Sequence, residues 1–137
     1  CLDVGCGSGI LGISAVLLGA KSAYLTDIDP VATDSAEHNC VLNGVADRCT
    51  VKRTDLVGDS EIAADIALAN ITAEVLCRLA PTLPAHVKSG GTLILSGIIK
   101  EKLEGVLQAF AAVGFNHIKT INKGEWYAVA FTKKLCW

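Results

Sequence analysis

Three carboxylates, three alternating glycines and one amide are the residues of this chain from which chemistry could be built. Asp3 sits two residues before the first glycine, at the end of a short strand-like run, and Gly5, Gly7 and Gly9 follow at every second position. Glycines so spaced let the backbone turn sharply and let a ligand approach it. A helix starting directly after such a turn offers free N–H groups and a positive dipole end. A dinucleotide fingerprint would require Gly-x-Gly-x-x-Gly, but its third glycine position is Ile10 here. The carboxylate of Asp3 would repel a pyrophosphate and suits a cationic ligand end. Asp27 lies about 20 residues past the turn, where doubly wound folds place an acid on a ribose diol. The alternatives are a turn whose glycines serve geometry alone and, for Asp27, a solvated loop acid. Asp29 precedes Pro30 and reads as an N-cap. Asp55 reads as a turn residue or a ligand contact. Asn70 carries an amide oxygen that could orient an amine, or could cap the helix that follows.

The elements that must position these groups follow from periodicity. Cys1 to Val4 reads as a first strand, and Ile10 to Leu18 as a helix apolar on nearly every face and so expected to be buried. Gly19 stops it. Ser22 to Thr26 is a second strand, and Val31 to Leu42 a helix with Val31, Ala32, Ala36 and Cys40 inward, ended by Asn43-Gly44. Cys49 to Arg53 and Ala64 to Ala69 are strands three and four, followed by a helix from Ala73 to Leu79. Gly90-Gly91 turns into strand five, Thr92 to Ser96. Glu101 to Val113 is a helix with Leu103, Val106, Leu107, Phe110 and Val113 on one stripe. Asn116 to Ile121 and Trp126 to Thr132 form a hairpin around Asn122 to Glu125. Five strand–helix units ending in a hairpin predict a mostly parallel sheet covered on both faces, with an antiparallel end.

With 137 residues, 51% hydrophobic and 19% charged, the chain suits one domain with a large core. A net charge of −2 without a basic block shows no nucleic-acid footprint. No apolar run reaches the roughly 20 residues of a membrane span. The six cysteines contain no Cys-x-x-Cys pair, and His38, His86 and His117 do not cluster with them. They read as reduced, buried thiols of a cytosolic protein, with no zinc site expected. The first strand starts within the motif itself, which suggests a domain cut from a longer protein, residues 1–134, with a tail at 135–137.

The turn Leu2 to Gly9 resembles the first motif of the class I S-adenosylmethionine-dependent methyltransferases. With Asp27-Ile-Asp-Pro30, Leu42-Asn-Gly44, Ala69-Asn-Ile-Thr-Ala-Glu74 and Leu95-Ser-Gly-Ile-Ile99, the chain resembles the methyltransferases of large-subunit ribosomal protein eleven. The resemblance covers nearly the whole chain. It implies a Rossmann-like, mostly parallel seven-stranded sheet with a C-terminal antiparallel hairpin. It implies S-adenosyl-L-methionine as cofactor, contacted by Asp3, Gly5, Cys6, Gly7, Gly9, Asp27, Ile28, Asp55, Leu56 and Asn70, with Asp55 near the adenine amine. It also implies a cytoplasmic, monomeric enzyme that methylates lysine and N-terminal amines of that ribosomal protein, with Asn70 as the catalytic residue. No direct nucleic-acid or membrane contact is expected. Methyltransferases of planar amino groups usually carry Asn-Pro-Pro-Tyr where this chain has Asn70-Ile71-Thr72-Ala73. An aromatic platform is therefore not expected from that motif. Members of the family carry a recognition domain ahead of this one. The alternatives are a methyltransferase of nucleic acid or small molecules, a nicotinamide-dependent oxidoreductase, and a cofactor-binding fragment inactive alone.

Overall fold

A computed structural model describes residues 1–135. Cys136, expected in the tail, lies outside the described residues. The chain divides into two compact units, Cys1–Ser60 and Glu61–Trp137.

The first unit begins with β1 (Leu2–Val4), α1 (Ile10–Leu17), β2 (Ala23–Asp27) and α2 (Pro30–Leu42). A short 3-10 turn, Ala46–Arg48, then leads into β3 (Cys49–Arg53). The three strands are parallel in the order β3-β2-β1, with Asp3 opposite Leu25 and Asp27 opposite Arg53. Ile13 and Val16 of α1 and Ala36 and Cys40 of α2 pack on Ala23 and Leu25 of β2. The α2 start is set as its sequence predicts: the Val31 N–H donates to Asp29 Oδ1 at 2.9 Å, with Pro30 in the first turn.

Three expectations for this unit are corrected. Helix α1 is not buried all round, since Ile10 is 67% and Leu18 88% exposed. Only Gly12, Ile13 and Val16 face inward, because a helix of eight residues presents one stripe to a sheet. Val31 is exposed and Thr33, two positions further along α2, takes the inward place. Strand β3 is followed by no helix. Asp55 and Gly58 close a turn there, with the Gly58 N–H donating to the Asp55 carbonyl at 2.9 Å.

The second unit holds β4 (Ala64–Asn70), α3 (Ala73–Leu79), a 3-10 turn (Leu83–His86), β5 (Val87–Ile99), α4 (Lys100–Ala112), β6 (Phe115–Lys123) and β7 (Trp126–Lys133). Its strand order is β4-β5-β7-β6. β4 and β5 are parallel, whereas β7 runs antiparallel to both β5 and β6. The hairpin turns one step later than expected, with Lys123 opposite Trp126. β5 is much longer than Thr92 to Ser96, because Gly90-Gly91 is absorbed as an irregularity of its pairing with β4 rather than closing a separate turn. Phe110, Phe115 and Phe131 meet with ring centroids 5.7 to 6.3 Å apart. They are fully buried or nearly so, with Leu76, Leu79, Leu93, Leu95 and Ile98. Burial of each such side chain contributes roughly 1.5–3 kcal/mol.

No helix among the described residues is long and apolar enough to cross a membrane. None of the five described cysteines is in a disulfide. Cys6 and Cys40 are buried, Cys1 and Cys49 half-buried, and Cys77 exposed on α3. For Cys77 the expectation of burial is therefore overturned: it lies off the Leu76–Leu79 stripe.

Candidate active site

In the first unit the glycine turn is built as its spacing requires. Gly5, Gly7 and Gly9 have φ of 70°, 55° and 87°, a region L side chains rarely adopt. A Cβ on Gly7 would meet nothing within 4 Å, so its Cα faces open space a ligand can enter. A Cβ on Gly9 would sit 3.2–3.3 Å from Ile13, Ala36 and Leu25. Gly7 thus serves approach, and Gly9 serves packing. The Cys6 side chain belongs to the core, leaving its backbone at the turn. Burial, with Asp3 and Asp27 nearby, pushes its thiol up to about 12, so it is no nucleophile at neutral pH.

Asp27 ties the turn to two further loops. Its Oδ2 accepts the Gly7 N–H at 2.9 Å, and its Oδ1 accepts the Asp29 N–H at 3.0 Å. Its carbonyl accepts the Thr54 N–H at 2.9 Å. A carboxylate has about four acceptor positions, so capacity remains for a diol. Ile28, beside it, is exposed.

Asp3 is placed differently from a surface ligand contact. It is 1% exposed, and Oδ2 accepts the Gly12 N–H at 3.0 Å. Gly9, at the N-cap of α1, has no side chain to cap it, so Asp3 satisfies an orphan amide of the first turn from the neighbouring strand. Burial raises its pKa from 3.8 to about 6, opposed by the Gly12 bond and assisted by the charge of Asp27.

Leu56 is the one non-glycine residue with positive φ (52°) among the described residues. Its carbonyl accepts the hydroxyl of the fully buried Thr26 at 2.6 Å. A strained residue held this firmly, one position after Asp55, marks the corner as a built one.

In the second unit Asn70 ends β4, exposed and opposite Ser96 of β5. The N-cap of α3 is Thr72, so the capping alternative for Asn70 is set aside. Asn70 instead lines a cavity of about 640 Å³ with Thr72, Ser96, Gly97, Trp126 and Tyr127. Trp126 is 59% exposed. Sequence reasoning missed both rings as site residues. The aromatic surface absent from the motif after Asn70 comes instead from β7, which only the pairing of β7 with β5 could have revealed. The first unit thus gathers the glycine turn, Asp27 and the corner at Asp55 and Leu56, and Asn70 is placed at the cavity of the second.

Comparison with known proteins matches this description. The family profile described as ribosomal protein L11 methyltransferase (PrmA) matches residues 1–134. The ribosomal protein L11 methyltransferase of Heliobacterium modesticaldum is 45% identical over 128 residues, covering 93% of this chain and 40% of the relative. That of Streptococcus pyogenes serotype M3 is 44% identical over 132 residues, covering 96% and 42%. The chain therefore spans about two fifths of the length of the curated relatives it matches. Among solved structures, the ribosomal protein L11 methylase from Lactobacillus delbrueckii subsp. bulgaricus is 39% identical, with a TM-score of 0.93, covering 97% of this chain and 69% of that one. An RNA methyltransferase from Salinibacter ruber in complex with S-adenosyl-L-homocysteine, 19% identical with a TM-score of 0.76 over 97% of this chain, shares the fold. The seven strands, parallel but for the C-terminal hairpin, are thus those of the Rossmann-like methyltransferase fold, and the chain belongs to the ribosomal protein L11 methyltransferase family.

Proposed function

We propose that this chain is the catalytic domain of an S-adenosylmethionine-dependent protein N-methyltransferase. Its acceptors are lysine side-chain and N-terminal amines of ribosomal protein L11. The observation that carries the reading is the left-handed glycine turn, open at Gly7 and joined to Asp27, within a chain of this family. Gly5, Cys6, Gly7 and Gly9 offer backbone to the cofactor's amino-acid end, and Asp3 contributes negative charge from beneath. Asp27 takes the ribose hydroxyls, and Ile28, Asp55 and Leu56 take the adenine. Asn70 is assigned to the cofactor and to the acceptor.

When bound, S-adenosylmethionine supplies an electrophilic methyl group on a sulfonium. The chain's own residues orient the attack. A lysine amine, with a pKa of about 10.4, must lose its proton before it can attack. The Asn70 amide oxygen accepts a hydrogen bond from the amine and directs its lone pair. The apolar walls of the cavity disfavour the ammonium form, and water takes the proton. The enzyme is read as a cytoplasmic monomer without direct nucleic-acid or membrane contact.

Calorimetric titration of this chain with S-adenosylmethionine and S-adenosylhomocysteine tests the cofactor, and binding of both is expected. Transfer to ribosomal protein L11 by the full-length protein tests the acceptor. Asn70→Ala should slow transfer at least about tenfold, much more than it weakens cofactor binding. Equal losses in both would refute the orienting role.

A further inference from the structure

We propose that Gly97 is the positioning residue for Asn70, and that it acts by having no side chain. This rests on the reading that Asn70 orients the amine. Gly97 lies in β5, where the pairing with β7 slips between Leu95 and Ile98. Leu95 is opposite Val129 and Ile98 opposite Tyr127, so Ser96 and Gly97 together face Ala128 alone. That is a bulge, a device that bends a strand and re-aims its neighbours. Gly97 adopts φ of 78° within it.

The bulge brings the Gly97 backbone against the Asn70 side chain. A Cβ on Gly97 would sit 2.7 Å from Asn70 Oδ1 and 3.1 Å from the Ile71 carbonyl oxygen. The first distance is not tolerable, and one of the two groups must yield. The Asn70 amide is the free end of a side chain on the cavity wall, so rotating it away is the easiest relief. The fold survives that rotation, but the amide leaves the place where it meets the acceptor. β4 therefore supplies the orienting group, and β5 supplies the gap that holds it in place.

The test is methyl transfer to ribosomal protein L11 by the full-length protein carrying Gly97→Ala, Gly97→Asn, Asn70→Ala, or Asn70→Ala combined with either Gly97 substitution. Asparagine tolerates positive φ better than other side chains, so Gly97→Asn adds the Cβ with less backbone strain. Either Gly97 substitution should lower kcat about tenfold or more, while KM and the Kd for S-adenosylhomocysteine stay within about threefold. In the Asn70→Ala background the same substitutions should change kcat by less than about twofold, because the two act as one unit. The Asn70 side-chain amide resonances, identified by their loss in Asn70→Ala, should shift in both Gly97 variants. An equal drop with and without the Asn70 amide, or a full rate in Gly97→Asn, would overturn the proposal. A full rate in Asn70→Ala alone would instead remove the orienting role itself. That differs from the case in which Asn70→Ala is slow and the Gly97 variants are not.

Discussion

The Gly7 N–H donates to Asp27 Oδ2 at 2.9 Å, so the acid ending β2 holds the turn that ends β1. Its other oxygen holds Asp29. Asp27 therefore shapes the glycine turn through its own hydrogen bonds. Asp27→Ala should weaken S-adenosylhomocysteine binding by about 1.5–3 kcal/mol, the range for hydrogen bonds to a charged group. Asp27→Asn, which keeps one acceptor oxygen, should fall between. Calorimetric titration decides it, and unchanged affinity in Asp27→Ala would refute the assignment.

Asp3 predicts a pH dependence of stability. Its folded pKa, about 6, lies above its ordinary 3.8. The folded chain thus holds the proton more tightly than the unfolded chain. The contribution is fully present below about pH 4 and is lost as pH rises through about 6, amounting to about 3 kcal/mol. Asp3→Asn should flatten this fall between pH 4 and 7 in urea denaturation. A slope equal to the parent's would show that Asp3 does not cause it.

Thr26 and Leu56 predict a local coupling. Thr26→Val keeps the shape and removes the hydroxyl that holds the Leu56 carbonyl. It should destabilise the chain by about 1–2 kcal/mol. It should also weaken S-adenosylhomocysteine binding by releasing the left-handed corner. Thr26→Ser, which retains the donor, should restore affinity. Thermal melts with and without the ligand read both effects.

Trp126 predicts a separation between acceptor and cofactor. It lines the cavity with Asn70, in the second unit, whereas the glycine turn belongs to the first. Trp126→Ala should raise KM for ribosomal protein L11 several-fold, as expected for a lost ground-state contact. Its Kd for S-adenosylhomocysteine should be unchanged. Steady-state kinetics beside a titration would show a rise in that Kd if the separation is wrong.

The sequence reveals most where a residue type answers to its own backbone. The alternating glycines and the Asp29-Pro30 cap are local requirements that stand where the sequence places them, and the hairpin ahead of Trp126 is there with its turn one step later. Burial across an element was less legible. Ile10, Leu17 and Leu18 read as interior, yet the one inward stripe of α1 leaves them exposed. Gly90-Gly91 read as a turn, since the sequence carries no sign that β4 would pair with β5 on both sides of it. The cavity was legible only at Asn70. Its other walls, Gly97 and Trp126, are assembled by strand pairings distant in sequence.

The aromatic cluster around Phe110 has an optical consequence. Residues 1–60 contain neither phenylalanine nor tryptophan, and Tyr24 is their single aromatic ring among Phe, Tyr and Trp. All three phenylalanines and Trp126 belong to the second unit. Trp126 emission therefore reports on that half of the chain, and the half bearing the glycine turn contributes no tryptophan signal. An unfolding curve followed by tryptophan emission alone would record the loss of the cavity beside Trp126 and carry no signal from the glycine turn.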